Sequence, residues 1–337
     1  MKGRSLCGWQ ARIRIAGPGR ARLPGFRVKL EPTISGRMQT VCRVANRPRK
    51  WSPAPSRVRS LGLAAAFLLV VSAPAGAQGP RLFYESDGTG TPVVLVPDWA
   101  HDTGSWFRIL PLLRADGRRL IRYDLRGQGR SEAPADGDYS VTAHGADLLR
   151  LLDGLEIERA HLVGTGLGGA IVLEFALEHP ERVLSVTAAE PRVQWDDAER
   201  NSWLPLLEAW ERIGRPTLGE YTSVLVERWL GTEFVVRNGW AVPWYDLMLR
   251  RQSADELIAS MLAWLVESAA RPAAPSGVPA LVVVGEGGMA GFEREWLESA
   301  FPRAWRQRVE DSRLEPALDA PEELAGLLEE LWESAGP

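Results

Sequence analysis

Past about residue 80 the chain breaks into short apolar runs separated by longer stretches with helical spacing. The runs are Val93–Val96, Leu120–Tyr123, His161–Val163, Val183–Ala188 and Ala280–Val284, with Arg306–Val309 as a weaker last one. Short, near-continuous runs rich in Val, Ile and Leu predict strands buried on both faces. Between them, Leu148, Leu149, Leu151 and Leu152 form an apolar stripe in a predicted helix over Val141–Leu155, and a second predicted helix covers Pro321–Trp332. This alternation predicts an α/β protein with a mostly parallel sheet and helices on both of its faces.

The alternation lapses once. Between Glu190 and about Pro275 no strand pattern occurs, and Pro191, Pro216, Pro243 and Pro272 bound what read as several helices. The stretch predicts a helical cap, about 191–275, inserted over the sheet. Half of the 14 tryptophans fall in it: Trp195, Trp203, Trp210, Trp229, Trp240, Trp244 and Trp264. Trp203, Leu206, Leu207 and Trp210 lie at i, i+3, i+4 and i+7, the pattern of one buried helical face, so the first reading is that they build the cap's own core. The second is that some of them wall a pocket between cap and sheet.

Charge divides the chain in two. Residues 1–77 carry 15 Lys and Arg against the single acid Glu31, while residues 78–337 carry 25 basic and 42 acidic residues, a net of −17. Such an excess repels phosphate backbones and anionic lipid, which leaves no nucleic-acid role and favours a small apolar, neutral or cationic ligand. Within the basic part, Arg57 and Arg59 precede an apolar run, Leu61–Val71, and then Ala75-Gly76-Ala77, the pattern of a secretory signal cleaved before Gln78. The expectation is a secreted or periplasmic domain over 78–337 with no membrane contact after cleavage. An uncleaved anchor is the competing reading, although the run is shorter than the roughly 18 apolar residues a span needs. Residues 1–50 show neither period 2 nor period 3.6, and Met38 is an alternative start. Cys7 and Cys42 both precede the cleavage point, so the mature chain is expected to have no disulfide and no thiolate chemistry.

Two motifs narrow the class. His161-Leu-Val-Gly164-Thr165-Gly166-Leu167-Gly168-Gly169-Ala170 reads as strand, Gly-rich turn and helix, and Tyr123-Asp124-Leu125-Arg126-Gly127-Gln128-Gly129-Arg130-Ser131 lies upstream of it. Together they resemble the nucleophile elbow, G-x-S-x-G, and the Y-D-x-R-G-x-G-x-S segment of the α/β-hydrolase family. The resemblance runs from about Arg81 to Trp332 and implies a Ser/His/acid triad.

At each triad position this chain departs from that pattern. The elbow centre is Gly166; the acid, expected after a V-V-G-E-x-D-like segment, aligns with Gly288; the base, expected before the A-P-E-E-like segment Ala320–Glu323, aligns with Arg313, whose guanidinium accepts no proton. Where the family often has His-Gly after a strand, the chain has Pro97-Asp98 before Trp99. The resemblance therefore implies the fold without Ser-type chemistry, and a protein that binds a small ligand or a partner. The alternative is a hydrolase of a small ester, lactone or epoxide with an atypical mechanism. Candidate ligand contacts are the Trp99 and Leu167 amides, which could receive an anion or carbonyl, together with Asp98, His101 and Glu190. His144, His161 and His179 fall where packing or capping is the simpler role. No cofactor is expected, and no metal, since the chain has no H-x-x-x-H or H-x-E-x-H spacing.

Overall fold

The computed structural model describes strands at residues 21–23, 26–32 and 38–43, and then residues 79–114, 117–212, 222–267, 274–285, 291–310 and 312–336. The expected secretory segment at 57–78, with its expected cleavage point, lies outside the described residues.

The first three strands, β1 (Ala21–Leu23), β2 (Phe26–Pro32) and β3 (Met38–Arg43), form an antiparallel meander of their own, with Val28 opposite Cys42 and Leu30 opposite Thr40. This corrects the reading of residues 1–50 as patternless. Phe26, Val28 and Leu30 alternate with Arg27, Lys29 and Glu31, a period of two that the surrounding Gly, Pro and Arg obscure.

The second sheet has seven strands: β4 (Tyr84–Gly88), β5 (Thr91–Val96), β6 (Arg118–Tyr123), β7 (Ala160–Thr165), β8 (Val183–Ala189), β9 (Ala280–Val284) and β10 (Trp305–Arg308). Their spatial order is β10-β9-β8-β7-β5-β6-β4, parallel throughout except for β4, which runs antiparallel to β6 at the edge. The central strands β7 and β8 are buried at every position, as their unbroken apolar runs require. β4 is absent from the strands predicted by hydrophobicity, because its sequence, Tyr-Glu-Ser-Asp-Gly, is polar and half exposed at an edge. The last strand begins one residue earlier than the predicted Arg306.

Ten helices accompany these strands among the described residues. They are α1 (Leu110–Leu113), α2 (Val141–Gly154), α3 (Gly166–Glu178), α4 (Asp197–Arg212), α5 (Thr222–Arg237), α6 (Ala241–Leu249), α7 (Ala254–Val266), α8 (Gly291–Ala300), α9 (Pro316–Asp319) and α10 (Pro321–Ala335). α2 starts where Ser140 Oγ accepts the Ala143 N–H, an N-cap that removes one orphan donor. Four helices, α4 to α7, lie between β8 and β9, and the described residues of that stretch contain no strand.

Side chains alternate across the sheet. On β5, Val93 and Leu95 join α1 and α10 in one core, while Val94 and Val96 join α2, α3 and the inserted helices in the other. α3 is buried over all but Glu174, Leu177 and Glu178, which accounts for its high apolar content, and it runs so close to β5 that a Cβ on Gly168 would lie 2.1 Å from the Val96 carbonyl oxygen. That close approach brings the β7–α3 turn beside the loop that follows β5.

Candidate functional site

Two loops at the carboxyl ends of adjacent parallel strands meet here, the place where open α/β sheets carry their ligands. After β7 the chain turns at Gly166 with φ +50° and enters α3. After β5 it turns through Asp98, Trp99, Ala100 and His101, with the His101 N–H donating to the Asp98 carbonyl and Ala100 at φ +64°. The Ala100 N–H donates to Gln128 Oε1 at 2.8 Å, which ties this loop to the Arg126–Arg130 turn.

The buried Asp98 side chain bridges the two loops. Its Oδ1 accepts the Trp99 N–H at 2.7 Å and the Leu167 N–H at 2.6 Å. These are the two amides expected to receive a ligand's anion or carbonyl; the structure corrects that expectation, because a carboxyl of the chain itself takes both donors. The same carboxyl fills the space over the turn: a Cβ on Gly166 would lie 2.0 Å from Asp98 Oδ1. Gly166 has no side chain of its own, and the carboxyl arriving from the other loop takes that space. Burial pushes the Asp98 carboxyl up to about 7, against the lowering effect of the two amides and of Arg192.

His101 is fully buried and has a defined tautomer. Nδ1 lies 2.9 Å from the Trp99 carbonyl oxygen, which only accepts, so Nδ1 carries the hydrogen and Nε2 is left with a lone pair. Nε2 accepts from the Tyr245 hydroxyl at 3.1 Å, and burial holds the ring neutral by lowering its pKa to about 4. Facing Nε2 at 3.4 Å is Glu315 Oε1, buried and without a hydrogen-bond partner. Burial first, then Asp98, Asp319 and Glu190, drive the Glu315 carboxyl well above the usual carboxylate range. Asp98, His101 and Glu315 each offer a ligand atom, all within 4.8 Å of one another. The expectation of no metal rested on spacing along the chain, and a cluster that joins residues 98, 101 and 315 has no such spacing to read.

Glu190 follows β8 with φ +49° and accepts the Gly285 N–H; burial raises its carboxyl to about 7. Asp98 and Glu190 border a cavity of about 70 Å³ with Gly166, Arg192, Arg228, Leu314 and five tryptophans, Trp99, Trp195, Trp203, Trp229 and Trp264. Four of the five come from the inserted segment, and they do both jobs weighed from sequence, since they are also part of the continuous core. Trp210 falls where side chains lie outside the described residues. Arg192 is held by Glu199 at 3.0 Å and Glu293 at 3.3 Å, and the Arg228 guanidinium lies 4.1 Å from the centre of the Trp203 ring. Arg192, Arg228, Tyr245 and Glu315 were not singled out from sequence; only Arg192, two residues beyond Glu190, carries a local signal.

The three triad positions fare differently. Gly166 is at the elbow. Gly288 lies outside the described residues. Arg313 is exposed, with its N–H donating to Asp319 Oδ2 at 2.9 Å, and the next residue, Leu314, lines the cavity instead. Neither Arg313 nor Leu314 can accept a proton. His161 bonds Ser185 across β7 and β8 at 2.8 Å, a packing role, and buried His144 lies on α2 away from the cavity lining.

Comparison with known proteins agrees with this architecture. A family model described as alpha/beta hydrolase fold matches residues 91–227. The chain is 39% identical over 114 residues to a 2-hydroxymuconate semialdehyde hydrolase of a Pseudomonas species, covering 32% of this chain and 38% of that protein. It is 40% identical over 106 residues to a putative carbamate hydrolase of Azorhizobium caulinodans, covering 32% and 39%. The chain thus spans about two fifths of the length of the curated relatives it matches. Among solved structures it resembles a hydrolase from Pseudomonas aeruginosa (TM-score 0.67, 24% identity, 76% of this chain and 96% of that one). It also resembles an enol-lactonase from Burkholderia xenovorans (TM-score 0.66, 23% identity, 75% and 96%).

Proposed function

We propose that this α/β-hydrolase-fold protein uses the cleft of its fold to bind a small ligand and does not carry out serine-type acyl transfer. The observation that carries this is Asp98 Oδ1, bonded to both Trp99 N–H and Leu167 N–H and lying against Gly166. Acyl transfer through this fold needs a nucleophile at the turn and two free donors for the oxygen that gains charge. Here the nucleophile position has no side chain and both donors are engaged. What remains is a small, partly open cavity with aromatic walls, buried carboxyls and two guanidiniums, features of a site that selects by size and polarity. Export from the cytoplasm, read from the basic and apolar pattern at 57–77, is part of the same proposal.

A second reading has its own support. Many of the relatives are named as hydrolases, and Asp98 offers a carboxyl with one oxygen already held by two amides, an arrangement in which the other could attack an electrophilic carbon. The two readings separate in one experiment. The full chain is assayed on short aryl esters, a lactone and an epoxide, beside Asp98→Asn and a variant carrying Asp98→Gly, Gly166→Ser, Gly288→Asp and Leu314→His. Background rates for the parent, with ester turnover gained by the fourfold variant, support binding on an intact scaffold. Parent turnover that survives further purification and is lost in Asp98→Asn overturns it in favour of a carboxylate nucleophile.

A further inference from the structure

Two buried groups, His101 Nε2 and Glu315 Oε1, face each other in the interior of this protein. His101 Nε2 presents a lone pair because Nδ1 is committed to the Trp99 carbonyl, and Glu315 Oε1 lies 3.4 Å away without a hydrogen bond. Asp98, the third member, has Oδ1 fixed by two amides and borders the cavity. The Tyr245 hydroxyl donates to Nε2 at 3.1 Å and satisfies one acceptor of the set. Arg192, whose charge lowers Asp98, is engaged by Glu199 and Glu293. Bringing two carboxyls and an imidazole lone pair together out of water costs several kcal/mol unless a cation or a proton sits among them.

We infer that Asp98, His101 and Glu315 form a binding site for one divalent transition-metal ion of the zinc class. The donor set is one imidazole and two carboxylates, three protein ligands of which Asp98 also borders the cavity, a pattern that suits zinc. The geometry needs little adjustment. Three atoms within 4.8 Å of one another surround a point no more than about 2.8 Å from each, and a zinc bond of roughly 2.0–2.2 Å is reached by sub-ångström side-chain shifts. The outer partners are those a ligating histidine ordinarily has: Nδ1–H on a backbone carbonyl fixes the tautomer and aims Nε2 inward. Magnesium and calcium fit poorly, since one ligand is nitrogen and six or more oxygens are not present. The inference rests on the reading of this cleft as a binding site and names its occupant.

The test uses the full chain with Cys7→Ser and Cys42→Ser, so that no thiolate competes. After chelator treatment, Zn2+ is titrated calorimetrically in two buffers of different ionisation enthalpy, and retained metal is measured after gel filtration. The expected result is one ion per chain, bound with release of protons. His101→Ala and Glu315→Gln should each weaken binding by more than about tenfold, the loss that an outer partner alone brings. X-ray absorption of the zinc-loaded parent supplies a check that does not depend on the variants folding: one imidazole and otherwise oxygen neighbours. Failure of the parent to bind saturably, unchanged affinity in both variants, or two or more imidazoles around the ion each overturns the site. Absent zinc together with absent ester turnover removes this inference and leaves the binding reading standing; turnover lost in Asp98→Asn removes the binding reading whatever zinc does.

Discussion

The Arg126 guanidinium clasps both oxygens of Asp147 at 2.7 Å, from a turn after β6 to the first half of α2, with both side chains almost fully buried. Two more of its hydrogens go to the carbonyls of Asp138 and Ala143, so the Arg of the Y-D-x-R-G-x-G-x-S segment organises a loop and touches no substrate cavity.

Breaking that clasp from one side leaves the buried Asp147 carboxylate to Arg150, whose Nη2 lies 2.6 Å from Oδ1. Arg126→Met should lower the unfolding free energy by about 1–3 kcal/mol, the cost of buried hydrogen-bonding groups left unmade, read from urea denaturation. Arg126→Met with Asp147→Leu should recover part of the loss, and a double variant no better than the single one would refute the pairing.

Gly166 and Asp98 compete for one volume. Gly166→Ser alone should cost about 1–3 kcal/mol through overpacking against the Asp98 carboxyl. In a double-mutant cycle with Asp98→Gly the two changes should be less harmful together than their sum, with a coupling of roughly 0.5–3 kcal/mol. Additive behaviour would mean that the carboxyl does not occupy the space over the turn.

Glu267 gives a pH signature. Its carboxyl caps the start of α2 by accepting the Val141 N–H, and burial, with Glu174 and Asp138 nearby, raises it to about 8. Between about 4.5 and about 8 the folded chain holds this proton while the unfolded chain releases it. Stability from this group is thus complete at the acid end and is lost as pH rises through about 8. Thermal unfolding of the parent should be higher at about pH 5 than at about pH 8, and Glu267→Gln should narrow the gap. An unchanged gap would assign the effect to the other raised carboxyls.

The Trp99 indole N–H donates to the Leu257 carbonyl and to Ser260 Oγ, both at 3.0 Å, and so anchors α7 to the loop that carries Asp98 and His101. Trp99→Phe removes the donor that links this loop to α7, while Ser260 Oγ still donates to the Leu257 carbonyl, and should cost about 0.5–1.5 kcal/mol. A loss below about 0.5 kcal/mol in urea denaturation would show that the anchor is dispensable.

What the sequence displayed and what it concealed divide along contact range. The runs at Val93–Val96, His161–Val163, Val183–Ala188 and Ala280–Val284 announce strands because burial on both faces writes itself as local hydrophobicity. Gly164 to Gly169 announce the turn because close packing excludes side chains locally. Tyr84–Gly88 stays silent, since an edge strand carries no apolar demand, and Phe26–Pro32 is masked by its basic setting. Within the site, Asp98, His101 and Glu190 were visible as polar residues in loops known to border a cleft. Their partners were not: Glu315 reaches His101 across more than two hundred residues, and which member of the Arg313-Leu314-Glu315 run faces inward is decided by the path of the loop into α9.

The anchor formed by Trp99 makes the cap a part of the binding equilibrium. The loop that presents Asp98 and His101 cannot reshape around an occupant without disturbing α7, so opening of α7 and filling of the site are opposed processes. An occupant at a concentration of 100 times its Kd would suppress cap opening by about 2.7 kcal/mol. The slowest-exchanging amides of α7 would then slow by about a hundredfold in deuterium exchange, which turns the helix itself into a sensor for screening ligands that leave no product to detect.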